Sequence, residues 1–287
     1  MNKNKFTIFL FLIPTLIFGI LLLYFVFYNV YYSFLDSSAT VLVAKFVGFA
    51  TYKELFSNAL VVSSLKRSII WAFVLIAGGN VMGIFFASLI YFLRNQKTRA
   101  VYTSIFVYPL AVSMAASGVI WTWLFNINDG VDYLFVRIGL PRFPWLDSPA
   151  TAFPSLTLVS IWVFSGLASL FYLASFQNVS KDIVESAKMD SASSFRILRK
   201  ILLPEAKNAL LVSPAIIFIF ALRFFSLPYV ATLLNPYTET SVENLYVLYT
   251  SLSFSESSAE SVIVMLIALV VVIPFALYGI KRWLAND

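Results

Sequence analysis

The 287-residue chain contains no cysteine and no histidine. Those two absences exclude disulfides, thiolate chemistry, imidazole metal sites and histidine proton relays together. Charge is scarce as well: Asp, Glu, Lys and Arg make up 12% of the residues against 60% hydrophobic, and mean hydropathy is +0.87. A soluble globule of this length has no interior large enough to hide so much apolar surface, so the composition is that of an integral membrane protein. No G-x-x-x-x-G-K-[ST] stretch is present, and ATP binding is not expected of this chain. All fourteen acidic residues, from Asp36 to Asp287, are assigned to loops or helix ends. That distribution argues against a proton- or sodium-coupled carrier, whose spans commonly bind the coupling ion through carboxylates. It also disfavours an intramembrane enzyme, because the spans offer no His, Cys, Asp or Glu for acid–base work or metal binding.

What the chain has instead is long apolar runs. Crossing the hydrocarbon takes about 20 apolar residues in a helix, and six runs of that order lie at 6–32, 68–93, 102–125, 152–176, 209–234 and 261–278. Period-2 barrel strands would not give continuous runs of this length. Lys3 and Lys5 ahead of the first run raise the reading of a signal peptide, but the run continues to Tyr32 without a small-residue cleavage site, so a retained first span is expected. The expectation is an all-α polytopic membrane protein of six transmembrane helices in a single domain.

Placing the N-terminus inside gives thirteen of the twenty basic residues to the cytoplasmic side, among them Lys3, Lys5, Arg94, Arg99, Lys181, Lys188, Lys281 and Arg282. Six fall outside, and Arg223 stays within the fifth run. The positive-inside rule therefore puts both termini in the cytoplasm. The net charge of +6 follows from this asymmetry and calls for no nucleic-acid partner.

The loop 177–208 between the fourth and fifth runs is the most charged part of the chain. Asp182 with Glu185 reads as a capping-box-like helix start, followed by apolar Ile183, Val184 and Ala187. A break is expected at Asp190–Ser191, then a second apolar face from Phe195, Leu198, Ile201 and Leu202 until Pro204 interrupts it. On composition alone the segment is either a docking surface or a basic amphipathic loop lying on the membrane.

The run E-S-A-x-x-D-S-A from Glu185, with Ile201-Leu202-Leu203-Pro204 after it, resembles the EAA loop of ABC-importer permeases, the binding-protein-dependent inner-membrane components. "FVGFATYKELF" (46–56), "VYPLAVSMAASGVIWTWLFN" (107–126), "GLPRFPWLDSPATAFPSLTLVSIW" (139–162) and "FFSLPYVATLLNP" (224–236) are similar to segments of the carbohydrate-uptake branch, that of the maltose, glycerol-phosphate and monosaccharide permeases. Ser186 and Ser191 depart from the usual Ala and Gly, Ser226 from Asp, and Leu233-Leu234-Asn235 from glycines. A left-handed backbone at Ser191 would cost about 1 kcal/mol.

The resemblance implies a type I importer permease that forms half of a sugar pathway. A second permease, most simply in a heterodimer, two ATP-binding subunits and an extracytoplasmic binding protein complete it. ATP and Mg would belong to the partner ATPase, with no cofactor in this chain. Asp182, Glu185, Ser186, Ala187, Asp190, Ser191 and Pro204 are the coupling candidates. Polar and aromatic residues of the spans, Asn80, Ser117, Ser160, Trp162, Phe164, Ser165, Phe220, Arg223 and Phe224, are candidates for the substrate path, although small hydroxyls in spans commonly serve helix packing. Arg223, midway along the fifth run, faces either water or, by snorkelling, the outer interface. A permease for a non-sugar solute is the nearest alternative.

Overall fold

The computed structural model describes residues 3–37 and 44–284, with side chains over 10–37 and 44–277. The side chains of Lys3, Lys5, Tyr278, Lys281, Arg282 and Asp287, which entered the reading of orientation and span limits, lie outside the described residues. Along the chain run α1 (Lys3–Tyr32), the two-residue strands β1 (Leu35–Asp36) and β2 (Lys45–Phe46), α2 (Ala50–Ser57), α3 (Ala59–Phe92), α4 (Gln96–Ala111), α5 (Met114–Leu124), α6 (Val131–Arg137) and α7 (Pro149–Gln177). They are followed by α8 (Lys181–Met189), α9 (Ser194–Ile197), a π-helical turn (Leu198–Leu202), α10 (Leu203–Glu205), α11 (Lys207–Leu222), α12 (Ser226–Thr232), α13 (Ser241–Thr250) and α14 (Phe254–Leu284).

Helices α1, α3, α7 and α14 are each long and apolar enough to cross a membrane. Two further crossings are bent pairs: α4 with α5 at 100°, and the stretch Ser194–Glu205 with α11 at 76°. The protein is thus an all-α polytopic membrane protein, with up to six crossings by length and composition. Three expectations about the spans are corrected. The third run is broken at Val112–Ser113, just past Pro109, which removes a donor from the end of α4, and the Ser113 hydroxyl accepts from the Ala116 N–H at 3.1 Å to cap α5. The fifth run ends as a helix at Leu222, with Arg223 as its C-cap. Phe225 at φ −131°, ψ −60° precedes a separate helix, α12, whose first turn takes Pro228. The last helix starts at Phe254, so Glu256 and Glu260 lie inside it rather than ahead of it.

The chain divides into two compact units. The first is formed by residues 1–62 and 244–267. Within it Asn29 donates to the Ser261 hydroxyl at 3.3 Å, and the fully buried Glu260 accepts from Asn244 Nδ2 at 2.7 Å. Phe34, Phe46, Phe49 and Tyr52 cluster beside the β1–β2 pair.

The second unit, residues 63–243 with 268–287, is organised around α7, which is buried along most of its length and packs against α4 and α11. Small residues permit the approach. A Cβ added to Gly83 on α3 would stand 2.4 Å from the Ala168 Cβ, and one on Gly166 would stand 2.7 Å from the Phe106 carbonyl oxygen. Helix α5 packs on α12 in the same way, with Gly118 against the Leu227 carbonyl and Val230. Trp71 fills the core, edge-on to Phe153 and Phe224 with ring centroids 5.0 and 4.9 Å away.

Candidate functional site

The charged loop folds into short helices. Helix α8 begins at Lys181 after Ser180, whose side chain makes no capping bond, so the expected Asp182–Glu185 capping box does not form. Asp182 instead lies in the first helical turn, where a carboxylate complements the helix dipole. The end of α8 matches the expected break. Asp190 is the C-cap, Ser191 takes φ +58°, the Ser191 N–H donates to the Lys188 carbonyl at 3.0 Å, and the Ala192 N–H donates to the Ala187 carbonyl at 3.0 Å. This is the paired bonding of a Schellman motif, with serine in the left-handed position that favours glycine.

Only Val184 of α8 is buried. Around the helix from it, Asp182, Ile183, Ser186 and Met189 face outward, Ile183 54% and Met189 86% exposed. Of the expected coupling residues, Asp182, Glu185, Ser186, Asp190, Ser191 and Pro204 are on exposed surface. Glu185 also lines a cavity, and Ala187 is half-buried with its carbonyl engaged in the cap. Ile183, expected on an apolar face with Val184 and Ala187, is exposed, and Met189, which the sequence reading does not single out, is exposed beside it.

The second apolar face differs from expectation. Ile197 and Leu202 are buried, Leu198 and Ile201 are half-buried, and Phe195 is 70% exposed. The register shifts because Leu198–Leu202 is π-helical, the Leu203 N–H reaching back to the Leu198 carbonyl. Pro204 has no N–H and its ring crowds the carbonyl four residues earlier, which a widened turn relieves. Pro204 therefore sits within α10, and the chain bends after it at the buried Ala206.

The span residues expected along a path fall into four groups. Asn80 joins three helices: its Oδ1 accepts from Tyr172 and Ser213 hydroxyls, each at 2.8 Å, while its Nδ2 donates to the Ile76 carbonyl at 2.7 Å. Ser160, Phe164 and Phe224 are buried in packing contacts, and Ser117 is buried with its hydroxyl unpartnered among the described residues. Trp162 and Ser165 line an apolar groove of about 670 Å3 with Phe153 and Ile161. Phe220 and Arg223 are exposed at the end of α11, so Arg223 caps a helix rather than sitting midway along one.

A polar cavity of about 610 Å3 is lined by Thr122, Asn126, Asn128, Asp147, Thr232 and Asn235, among others. Leu233 and Leu234 at its edge hold φ +48° and +62°, so the backbone keeps the left-handed turn without glycine. Asp132 is fully buried and orders the neighbouring loop, accepting from the Phe143 N–H at 3.0 Å and from Trp145 Nε1 at 2.9 Å. A buried group at the start of α3 was not legible as a unit. Arg67 Nε donates to the Glu239 carbonyl at 2.8 Å, and Glu243 Oε2 accepts from the Thr240 N–H at 2.8 Å and hydroxyl at 3.0 Å. Burial pushes the Glu243 carboxyl up to about 7, against the pull of the Thr240 hydrogen bonds.

An amphipathic helix carried between two spans, with broken spans beside it, defines a membrane permease built like those of ABC importers. The fold matches that of a solved bacterial alginate ABC transporter in complex with alginate pentasaccharide-bound periplasmic protein, with TM-score 0.82 and 21% identity over 95% of this chain and 93% of that one. The chain belongs to the family of binding-protein-dependent transport system inner membrane components, which it matches over residues 79–287. It is 46% identical to the glucose import system permease protein GlcT of Saccharolobus solfataricus, across 94% of this chain and 96% of that protein. It is 30% identical to a probable ABC transporter permease protein of Pyrococcus horikoshii over 96% of each. The protein is accordingly a multi-pass transport subunit and not an enzyme, and it works as one component of a larger system.

Proposed function

We propose that this chain forms half of the translocation pathway for a sugar, delivered by an extracytoplasmic binding protein and driven by ATP hydrolysis in partner subunits. The observation that carries the sugar is the near full-length likeness to a protein named for glucose import. Helix α8 supports the coupling role. It is a short rigid body, closed by its Schellman cap and presenting Ile183 and Met189 outward, suited to lie in a cleft of an ATPase and pass its closure to α7 and α11 on either side. Asp182, Glu185, Ser186 and Asp190 supply polar contacts at the rim. ATP and Mg are held by two ATPase subunits, with no cofactor in this chain, and a second, non-identical permease completes the path. Both termini are cytoplasmic, in keeping with the distribution of Lys and Arg.

The route passes the exposed end of α11, where the Arg223 guanidinium offers a planar set of donors to sugar hydroxyls and Phe220 an apolar ring face. Arg223→Leu is expected to lower uptake about tenfold or more at matched expression, the loss of roughly 1.5–3 kcal/mol carried by hydrogen bonds to a charged group. Wild-type uptake by that variant removes Arg223 from the path. The function itself is tested by ATPase activity of the complex reconstituted with its binding protein, across a panel of mono- and disaccharides. Stimulation by one or a few sugars is expected. Indifference to all of them, with stimulation by amino acids or peptides, assigns the permease to a different solute.

A further inference from the structure

Where α3 and α7 end and α8 begins, the chain encloses a cavity of about 350 Å3. Its floor is apolar, formed by Tyr91, Phe92, Leu93, Val179 and Val184. Its rim carries the cations Arg94, Arg99, Lys181 and Lys188 against the single carboxylate of Glu185. Lys181, Glu185 and Lys188 recur at i, i+4 and i+7 of α8 and so share the helix face opposite to Ile183. Among the described residues none of these five groups stands within 4.0 Å of an opposite charge. Arg99 commits one nitrogen to the last carbonyls of α3, its Nη2 donating to Tyr91 at 3.1 Å and to Leu93 at 3.0 Å. Its Nε is buried with no partner among the described residues. Four cations gathered around one concavity repel each other unless an anion enters it.

A second cavity, of about 260 Å3, lies beside the first and shares Leu93 with it as a lining residue. Leu89, Ile90, Tyr102 and Phe106 complete its wall, and it carries no charge. On α4 the wall lies beyond Arg99 in the direction of the span, Phe106 being seven residues or about 10 Å further along. A cationic cavity with an apolar furrow next to it between two spans matches one kind of ligand, an amphiphile with an anionic head. We propose that this site binds an anionic phospholipid, its phosphate among Arg94, Arg99, Lys181 and Lys188 and the start of an acyl chain along Leu89, Ile90 and Phe106. Basic pockets between spans recognise lipid headgroups through this charge balance. Because two of the cations belong to α8, the lipid ties the coupling helix to the membrane surface while its outward face stays free.

The test uses the full chain in nanodiscs of phosphatidylcholine containing a minor fraction of phosphatidylglycerol. Native mass spectrometry then counts the lipids that survive delipidation. Wild type is expected to retain phosphatidylglycerol over phosphatidylcholine. Arg94→Gln/Lys181→Gln/Lys188→Gln is expected to lose that preference by on the order of a hundredfold, about fivefold per cation removed. Arg99 is left in place because it caps α3. An unchanged melting temperature in pure phosphatidylcholine shows that the variant is folded. A second variant, Leu93→Trp, fills the wall that the two cavities share with every charge kept, and is expected to weaken retention of the two-chain lipid. Equal phosphatidylglycerol retention by wild type and the triple variant overturns the proposal. So does full displacement of the lipid by millimolar inorganic phosphate, which would make the site one for free phosphate. Retained lipid with loss of a copurifying ATPase also overturns it, by assigning the cations to the partner's docking surface.

Discussion

The junction around Asn80 and the segment from α8 to α10 invert one another. At the junction, Asn80, Tyr172 and Ser213 turn their polar atoms inward and satisfy them across α3, α7 and α11. In the loop, among Lys181, Asp182, Lys188, Asp190, Arg196 and Arg199, the apolar side chains of Ile183, Met189 and Phe195 point outward. Both patterns reverse what a soluble core would do, for reasons set by the surroundings. Between spans, where apolar packing gains nothing over lipid, hydrogen bonds and close approach hold helices together. In a charged loop, an exposed apolar face has no such explanation, and it is the face proposed above to dock on the ATPase.

The strongest way to break this contrast is at the loop. Ile183→Asp with Met189→Asp is expected to abolish substrate-stimulated ATP turnover and copurification of the ATPase, each position being worth about 2 kcal/mol or more if it is a docking hot spot. Membrane insertion and melting of the isolated chain should be unchanged. Normal transport by this variant would show that α8 does not dock through that face. At the junction the prediction is opposite, a loss of stability with the docking surface intact. Asn80→Leu leaves two buried hydroxyls without their acceptor and is expected to cost about 1–3 kcal/mol, read as a lower melting temperature in detergent. Adding Ser213→Ala should recover part of the loss, and strict additivity of the two changes would deny their coupling.

Glu243 sharpens the comparison, because its Oε1 is buried without a partner among the described residues, unlike the satisfied amide of Asn80. Its carboxyl is raised from 4.5 to about 7 chiefly by burial. The folded state therefore holds the proton more tightly than the unfolded state, and the group's contribution is full below pH 4.5 and lost as pH rises through about 7. Glu243→Gln should flatten stability across that window, and an unaltered pH profile would assign the dependence elsewhere. The smallest effect is expected at Ser191→Gly, which relieves a left-handed serine and gains up to about 1 kcal/mol with transport unchanged. Destabilisation by this change would mean that the Ser191 side chain is needed.

Much of this contrast could be read from the chain. Apolar runs located the spans because hydrocarbon thickness fixes their length, and the pattern around Glu185 and Ser191 located the loop and its left-handed turn. Hydropathy could not see the breaks at Val112–Ser113 and Arg223–Phe225, since a helix that bends within lipid is as apolar as one that does not. Hydropathy alone therefore puts Arg223 midway along a span. The register of Phe195 failed for a local reason, a π-helical turn ahead of Pro204 that adds one residue to the repeat. The Asn80 junction failed for a global one: its partners stand 92 and 133 residues away, beyond any spacing rule.

Gly83 and Gly166 hold α7 against α3 and α4 with no room for a single methyl group. In a comprehensive substitution scan for uptake, these two positions should look as intolerant as any residue that touches sugar or ATPase. Intolerance in such a permease therefore maps helix clearance as readily as it maps the route of the solute. The two can be separated by whether a smaller facing residue restores function, and Ala168→Gly beside Gly83→Ala is the pair in which to look.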